Sequence, residues 1–74
     1  MPERVPAYQR IAADFRARIM SGALSPGEML PSESELRETY GVSNTVVRNA
    51  ILILKAEGLV TGRQGSGVFV TDRL

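Results

Sequence analysis

The chain has 74 residues, of which 43% are hydrophobic and 23% are charged, and its formal net charge is +1. A chain of this length forms one small domain and buries only about 60% of the surface that its unfolded form exposes, which leaves no room for a deep catalytic cavity. Cysteine, histidine and tryptophan are absent and aromatic residues make up 5%, which argues against disulfide scaffolds, zinc sites, serine–histidine or cysteine–histidine catalysis, and stacking platforms for single-stranded nucleic acid.

The first predicted element is a helix that follows a short arm. Residues 1–6 contain two prolines and two charges without hydrophobic periodicity, which predicts a flexible N-terminal arm ahead of one domain over residues 7–74. Beyond the arm, apolar side chains recur at helical spacing, at Tyr8, Ile11, Ala12, Phe15 and Ile19. Gly22 is expected to end this helix, and residues 25–27 form a turn signal.

A second helix is predicted from about Glu33 to Tyr40. Ser32 followed by Glu35 matches the capping box, in which the two residues satisfy each other's backbone N–H groups. Gly41 is well placed to end this helix, because glycine tolerates the left-handed conformation that many helix ends adopt.

A third helix is predicted to begin after Ser43, which can cap it, and to run to about Glu57. Its inward stripe is Val47, Ala50, Ile51 and Leu54. The second and third helices are joined by a tight turn that contains Gly41, and this spacing is the helix-turn-helix arrangement.

After Gly58 the composition becomes typical of strands. Residues 59–61 and 68–71 are the predicted strands, joined by a glycine-rich turn at residues 62–67, and this pattern predicts a β-hairpin. Three helices followed by a two-stranded wing describe a winged helix-turn-helix, a fold that is mainly α with a small β-hairpin.

The start of the third helix carries the strongest functional signal. The major groove of DNA admits one α-helix, and a recognition helix reads base edges with its N-terminal residues. The candidates are hydrogen-bonding side chains and one long cation: Ser43, Asn44, Thr45, Arg48 and Asn49. Ser43 fits a helix cap better than a base reader, whereas Arg48 fits a DNA contact better than an idle surface cation.

The predicted hairpin tip is the second candidate element. Arg63 and Gln64 could reach a phosphate or the adjacent minor groove, and Gly65 beside Ser66 allows a close approach of the backbone. The alternative is that the glycines only form a turn. Because the hairpin follows a helix-turn-helix, we favour the DNA contact.

The charge is unevenly distributed along the chain. Residues 26–41 carry a net charge of −3, while residues 1–25 and 42–67 each carry +2. Eight of the nine basic residues are arginine, whose planar fork suits phosphate and guanine. This bias is a weak indication of nucleic-acid binding.

Together these motifs resemble the DNA-binding domain of the GntR family of bacterial transcription regulators. The resemblance is carried by Tyr8, Ile11, Ile19, Gly22 and Leu24, by PGEMLPSE at 26–33, GVS at 41–43, Val47-Arg48, EGLV at 57–60 and QGSGVFV at 64–70. The tract after the third helix is similar to the HutC-type branch. The resemblance implies a winged helix, a homodimer on a palindromic operator, and a separate C-terminal domain for a small-molecule effector, which would begin where this chain stops.

The sequence departs from the family pattern at two positions. Many members carry a DNA-contacting arginine between the two glutamates of the second helix, where this chain has Ser34. Arg37, one turn further along, could contact a phosphate instead, and with Ser32 and Ser34 it completes the candidate set. The second departure is Asn44, which replaces a common arginine. Because asparagine pairs bidentately with adenine, we expect adenine to be accepted or preferred where relatives prefer guanine.

Three classes of function compete for this sequence. The first is sequence-specific binding of double-stranded DNA by a transcription regulator, most simply a repressor, although activation stays open. The second is a winged helix that contacts proteins, which would not gather Thr45, Arg48 and Arg63 along one face. The third is an enzyme, which the lack of histidine and cysteine and the thin core disfavour. We expect no catalytic residues, cofactor or metal.

Two further expectations concern the surface and the location of the protein. Leu52, Ile53 and Ala56 add apolar surface to the third helix, which packs on the first helix and the hairpin or, alternatively, contacts a partner subunit. No apolar run approaches the length of a membrane span, and the start of the chain lacks a signal-peptide pattern. We therefore expect a soluble, cytoplasmic protein without membrane contact.

Overall fold

The computed structural model describes residues 5–72, which form three α-helices followed by a two-stranded antiparallel sheet. The helices are α1 (Ala7–Ser21), α2 (Glu33–Tyr40) and α3 (Asn44–Ala56), and the strands are β1 (Val60–Arg63) and β2 (Gly67–Val70). The predicted winged helix-turn-helix is therefore confirmed. Of the predicted N-terminal arm, residues 1–4 lie outside the described residues, and Val5 and Pro6 are exposed.

Helix α1 begins directly after Pro6 and ends at Gly22, where the sequence predicted its end. The Pro6 carbonyl accepts hydrogen bonds from the N–H groups of Gln9 and Arg10 at 3.0 and 3.1 Å. Gly22 is left-handed, with φ 89°. The buried side chains Ile11, Ala12 and Phe15 are those of the predicted apolar stripe, so the periodicity located the inward face.

Local capping defines both helices of the helix-turn-helix. The N–H of Glu35 donates to Ser32 Oγ at 3.1 Å, and the N–H of Ser32 donates to Glu35 Oε1 at 2.8 Å, which completes the predicted capping box. Gly41 ends α2 with φ 66°, a left-handed conformation that few other residues adopt readily. The N–H of Val46 donates to Ser43 Oγ at 3.3 Å and caps α3.

The hairpin is present, but its strands differ from the prediction. Val60 pairs with Val70 and Arg63 with Gly67, so β1 starts one residue later than predicted and continues two residues further. The turn is therefore limited to residues 64–66. The predicted turn was too long because its glycines suggested irregular backbone, whereas Gly62 and Gly67 both lie in paired strand positions.

The segment before α2 pairs with the hairpin, which the sequence did not predict. The N–H of Leu30 donates to the carbonyl of Val68, and the N–H of Val70 donates to the carbonyl of Glu28, both at 2.8 Å. This pairing covers the outer edge of β2 and attaches the wing to the chain that enters α2. The position of the wing relative to the helix-turn-helix is thereby fixed by backbone hydrogen bonds.

The core lies between the three helices and the base of the hairpin. The largest fully buried side chains are Phe15, Ile11, Leu54 and Val47. Ile51, which was predicted to point inward, is half-buried and packs against the edge of this core, because it lies at the margin of the buried face of α3. In the described part of the chain, no helix has the length and apolar character needed to cross a membrane.

Candidate nucleic-acid interface

The first turn of α3 projects from the domain as an exposed, capped helix end. Ser43, Asn44 and Thr45 are all exposed, and the Ser43 hydroxyl accepts the hydrogen bond from Val46 described above. The preferred role of Ser43, as a cap, is therefore confirmed. A DNA contact by Ser43 or its two neighbours stays a prediction.

The outward face of α3 continues the candidate surface beyond the first turn. At 3.6 residues per turn, the exposed side chains lie opposite the buried Val47, Ala50 and Leu54. Among them are Thr45, Arg48, Asn49 and Leu52. The structure thus brings three of the predicted readers, Thr45, Arg48 and Asn49, to one face together with an exposed leucine, while Asn44 is exposed at the start of the helix.

Of the three apolar residues that the sequence left undecided, Ile53 is half-buried and packs against the core, in agreement with the simpler alternative. Leu52 is 59% exposed and Ala56 is also exposed. These two side chains therefore do not complete the packing of α3 on the domain.

Arg48 is paired with an acidic residue of α2. Its Nε donates to Oε2 of Glu33 at 3.1 Å, and the two side chains are 68% and 42% exposed. The sequence suggested only a helix-dipole role for Glu33, because nothing local connects two residues that are 15 positions apart. The ion pair places an acidic side chain at the candidate interface.

The candidate residues of α2 lie at its cap, in its first turn and in its last turn, at Ser32, Ser34 and Arg37 respectively. Ser32 is engaged in the capping box. Nη2 of Arg37 donates to Ser34 Oγ at 3.2 Å, and both side chains are exposed. Arg37 therefore shares a face with the position that carries arginine in many family members, as predicted, and is held against its own helix.

The guanidinium of Arg63, in the wing, packs against the aromatic ring of Phe69. The guanidinium carbon of Arg63 lies 4.9 Å from the centroid of the Phe69 ring, a distance typical of a cation–π interaction. Gln64, Gly65 and Ser66 form the exposed turn, and Gly65 has φ 79°. Arg63 is thus the last residue of β1 and does not belong to the turn of the hairpin.

A groove separates α3 from the wing, and Lys55 lies along it. A Cβ atom added at Gly62 would lie 3.1 Å from Lys55 Nζ, so the end of the lysine side chain lies against the backbone of β1. We did not predict Lys55 as a site residue. The available signal was its spacing of seven residues from Arg48, which places both cations on one side of the helix.

Residues 7–70 match a family described as bacterial regulatory proteins, gntR family. The Exu regulon transcriptional regulator of Escherichia coli strain K12 is 46% identical over 65 residues, which cover 88% of this chain and 25% of that protein. The Uxu operon transcriptional regulator of the same strain is 43% identical with the same coverage. The repressor MngR of that strain is 40% identical over 67 residues, covering 90% and 28%. This chain spans about a quarter of the length of these relatives.

Solved structures of similar fold contain operator DNA, and two of them serve as examples. AraR(DBD) in complex with operator ORR3 superposes with a TM-score of 0.90 at 32% identity, covering 96% of this chain and 86% of that one. AraR(DBD) in complex with operator ORX1 gives 0.88 at 34% identity, covering 92% and 82%. The comparisons do not distinguish a branch of the family, so the HutC-type affiliation stays a prediction.

Proposed function

The chain belongs to the gntR family of bacterial regulatory proteins, and we propose that it is the operator-binding part of a transcription regulator. Residues 7–74 bind double-stranded DNA with sequence preference, and the regulator represses transcription by occupying its operator. The relatives carry regulator names, and one is named a repressor. We assign no catalytic activity to the domain.

The observation that carries this proposal is the exposed, capped first turn of α3. Backbone N–H groups at a helix N-terminus and short polar side chains are suited to phosphates and base edges. The hydrogen bond between Ser43 and Val46 keeps this turn in helical form without a partner. A preformed turn can enter the major groove without the entropic cost of ordering the backbone.

Binding then uses three groups of residues. The base edges in the major groove are contacted from α3, by Asn44, Thr45, Arg48 and Asn49. The sugar-phosphate backbone is contacted from α2 and the turn, by Ser32, Ser34, Ser43 and Arg37. The wing contacts the DNA backbone or the adjacent minor groove through Arg63, Gln64, Gly65 and Ser66. Phosphate contacts orient the domain, whereas the α3 contacts supply the sequence preference.

The complete regulator, on this proposal, binds as a homodimer in the cytoplasm. Two copies of the domain occupy the halves of a palindromic operator, since the symmetry of a dimer is mirrored in its site. The relatives are about four times as long as this chain, which leaves room for a C-terminal domain that dimerises and binds a small-molecule effector.

Selection of duplexes from a randomised pool at near-physiological salt tests the proposal. We expect enrichment of a short motif whose protection in a footprint matches one helix in the major groove and one flanking contact. The motif should admit adenine at the step that faces Asn44. Failure to enrich any motif over the starting pool would refute the proposal.

A further inference from the structure

Glu33 accepts a hydrogen bond from only one nitrogen of the Arg48 guanidinium. The ion pair between α2 and α3 uses Nε of the guanidinium, at 3.1 Å from Glu33 Oε2. Within residues 5–72 the Arg48 side chain makes this hydrogen bond alone, and the side chain is 68% exposed, so its two terminal amino groups are left without a hydrogen-bond partner there. Arg16 differs, because its Nε and Nη2 both donate to Glu57.

The free edge of Arg48 is the one that DNA can use. Two parallel N–H groups of a guanidinium match O6 and N7 of guanine, or two phosphate oxygens. With Nε engaged, the two terminal amino groups form the remaining fork. The carboxylate therefore selects which edge of Arg48 meets the DNA.

The backbone that carries Glu33 is held by the capping box of α2. Glu33 lies between Ser32 and Glu35, the two residues of the capping box, whose hydrogen bonds are 2.8 and 3.1 Å long. Pairing with a fixed partner restricts a long side chain before binding, and this lowers the entropy lost when the complex forms.

We propose that Glu33 is a positioning residue for DNA recognition, which orients Arg48 so that its terminal amino groups face the base edges. This inference rests on the proposed function and adds a residue to which that function gave no role.

The charge of Glu33 has a second consequence. A carboxylate at the interface repels phosphates and weakens binding to every duplex. The repulsion is offset only where Arg48 finds its partner on the DNA, so Glu33 lowers affinity for unrelated sequences and favours the correct one. Removing it should therefore raise affinity for a scrambled duplex while reducing discrimination.

The experiment compares Glu33→Gln with Glu38→Gln in the 74-residue chain. Glu38 is exposed on the same helix and has no ion pair in the described residues, so both variants remove one negative charge. The probes are a duplex that the parent selects from a randomised pool and a scrambled duplex of equal length. The ratio of their dissociation constants measures discrimination, and thermal unfolding confirms that every variant is folded.

We expect Glu33→Gln to reduce this ratio by about three- to tenfold, the effect of an ion pair that DNA removes from water. Glu38→Gln should leave it unchanged, although both variants should bind the scrambled duplex at least as tightly as the parent. With Arg48→Ala already present, Glu33→Gln should have no further effect on the ratio. If Glu33→Gln unfolds the domain, Glu33→Asp, which is too short to hold Arg48, should show the same loss.

Two results would overturn the inference while the proposed function survives. One is an unchanged ratio for Glu33→Gln. The other is an equal fall with and without Arg48, which would mean that Glu33 contacts a base directly or acts through the fold. If the parent selects no duplex at all, the proposed function fails and the positioning role fails with it.

Discussion

Arg16 on α1 and Glu57 at the end of α3 form an ion pair with two hydrogen bonds, although they are 41 residues apart in the chain. Nε and Nη2 of Arg16 donate to the two carboxylate oxygens at 2.9 and 2.8 Å. The pair fixes α3 against α1 at the end opposite the exposed first turn.

This ion pair makes stability depend on pH in the acid range. The hydrogen bonds from Arg16 lower the pKa of Glu57. A carboxylate whose pKa is lower in the folded state stabilises the fold above its unfolded pKa of about 4.3, and this effect is lost as the pH falls through the folded value. We expect Glu57→Gln to lower the melting temperature at pH 7, and we expect this deficit to shrink as the pH falls below the unfolded pKa.

Thermal unfolding followed by circular dichroism at several pH values measures this difference. Glu38→Gln is the matched control, because Glu38 is exposed and has no ion pair among residues 5–72. A deficit for Glu57→Gln that is equally large at pH 7 and in acid would contradict the prediction.

A hydrogen bond between α1 and α2 makes the stability of the fold depend on pH in the alkaline range. Tyr40 Oη donates to Asp14 Oδ2 at 2.7 Å, and burial followed by this hydrogen bond raises the pKa of Tyr40. A group whose pKa is raised by folding stabilises the fold below its unfolded pKa, which is about 10 for tyrosine, and this effect is lost as the pH rises through the folded value. The stability advantage of the parent over Tyr40→Phe should therefore shrink above about pH 10.

Urea unfolding at pH 7, 9 and 11 tests this prediction, with Tyr8→Phe as control, since Tyr8 is half-buried on α1. The prediction fails if the gap between the parent and Tyr40→Phe stays constant across this range.

Two leucines of α3 allow the stability contribution of a buried side chain to be compared with that of an exposed one. Leu54 is fully buried, whereas Leu52 is 59% exposed. Leu54→Ala should cost about 2–5 kcal/mol of unfolding free energy through lost burial and the cavity left behind, which is enough to unfold much of so small a domain. Leu52→Ala should cost less than about 0.5 kcal/mol. Chemical denaturation of both variants provides the comparison, and equal losses would show that α3 is packed differently.

Arg63 should contribute to DNA affinity without sequence preference. If it contacts a phosphate, Arg63→Ala weakens binding to all duplexes alike and reduces the slope of log K against log salt by about 1. Titrations at three salt concentrations, with selected and scrambled duplexes, measure this slope. A loss confined to the selected duplex would instead place Arg63 on a base edge.

Local signals predicted most of the fold. The Ser32–Glu35 capping box and the left-handed Gly41 located both ends of α2, because each depends on residues within one helical turn. Periodicity located the buried face of α3 but not its margin, so Ile51 was predicted to be deeper than it is. The hairpin was predicted from composition, and its register could not be, because register depends on pairs such as Arg63 with Gly67.

The contacts that the sequence did not predict are those between distant parts of the chain. The pairing of Leu30 with Val68 requires the loop before α2 to meet the wing. The ion pair of Arg48 with Glu33 requires the angle between α2 and α3. No sequence spacing encodes these approaches, because they result from the packing of whole elements.

The central claim is that the first turns of α3 read DNA, and a competition titration of the parent and Arg48→Ala tests it most directly. We expect the parent to prefer its selected duplex to a scrambled one. Arg48→Ala should lose roughly 1–3 kcal/mol of affinity for the selected duplex and much less for the scrambled one. Equal binding of both duplexes by the parent, or undiminished binding of the selected duplex by Arg48→Ala, would contradict the claim.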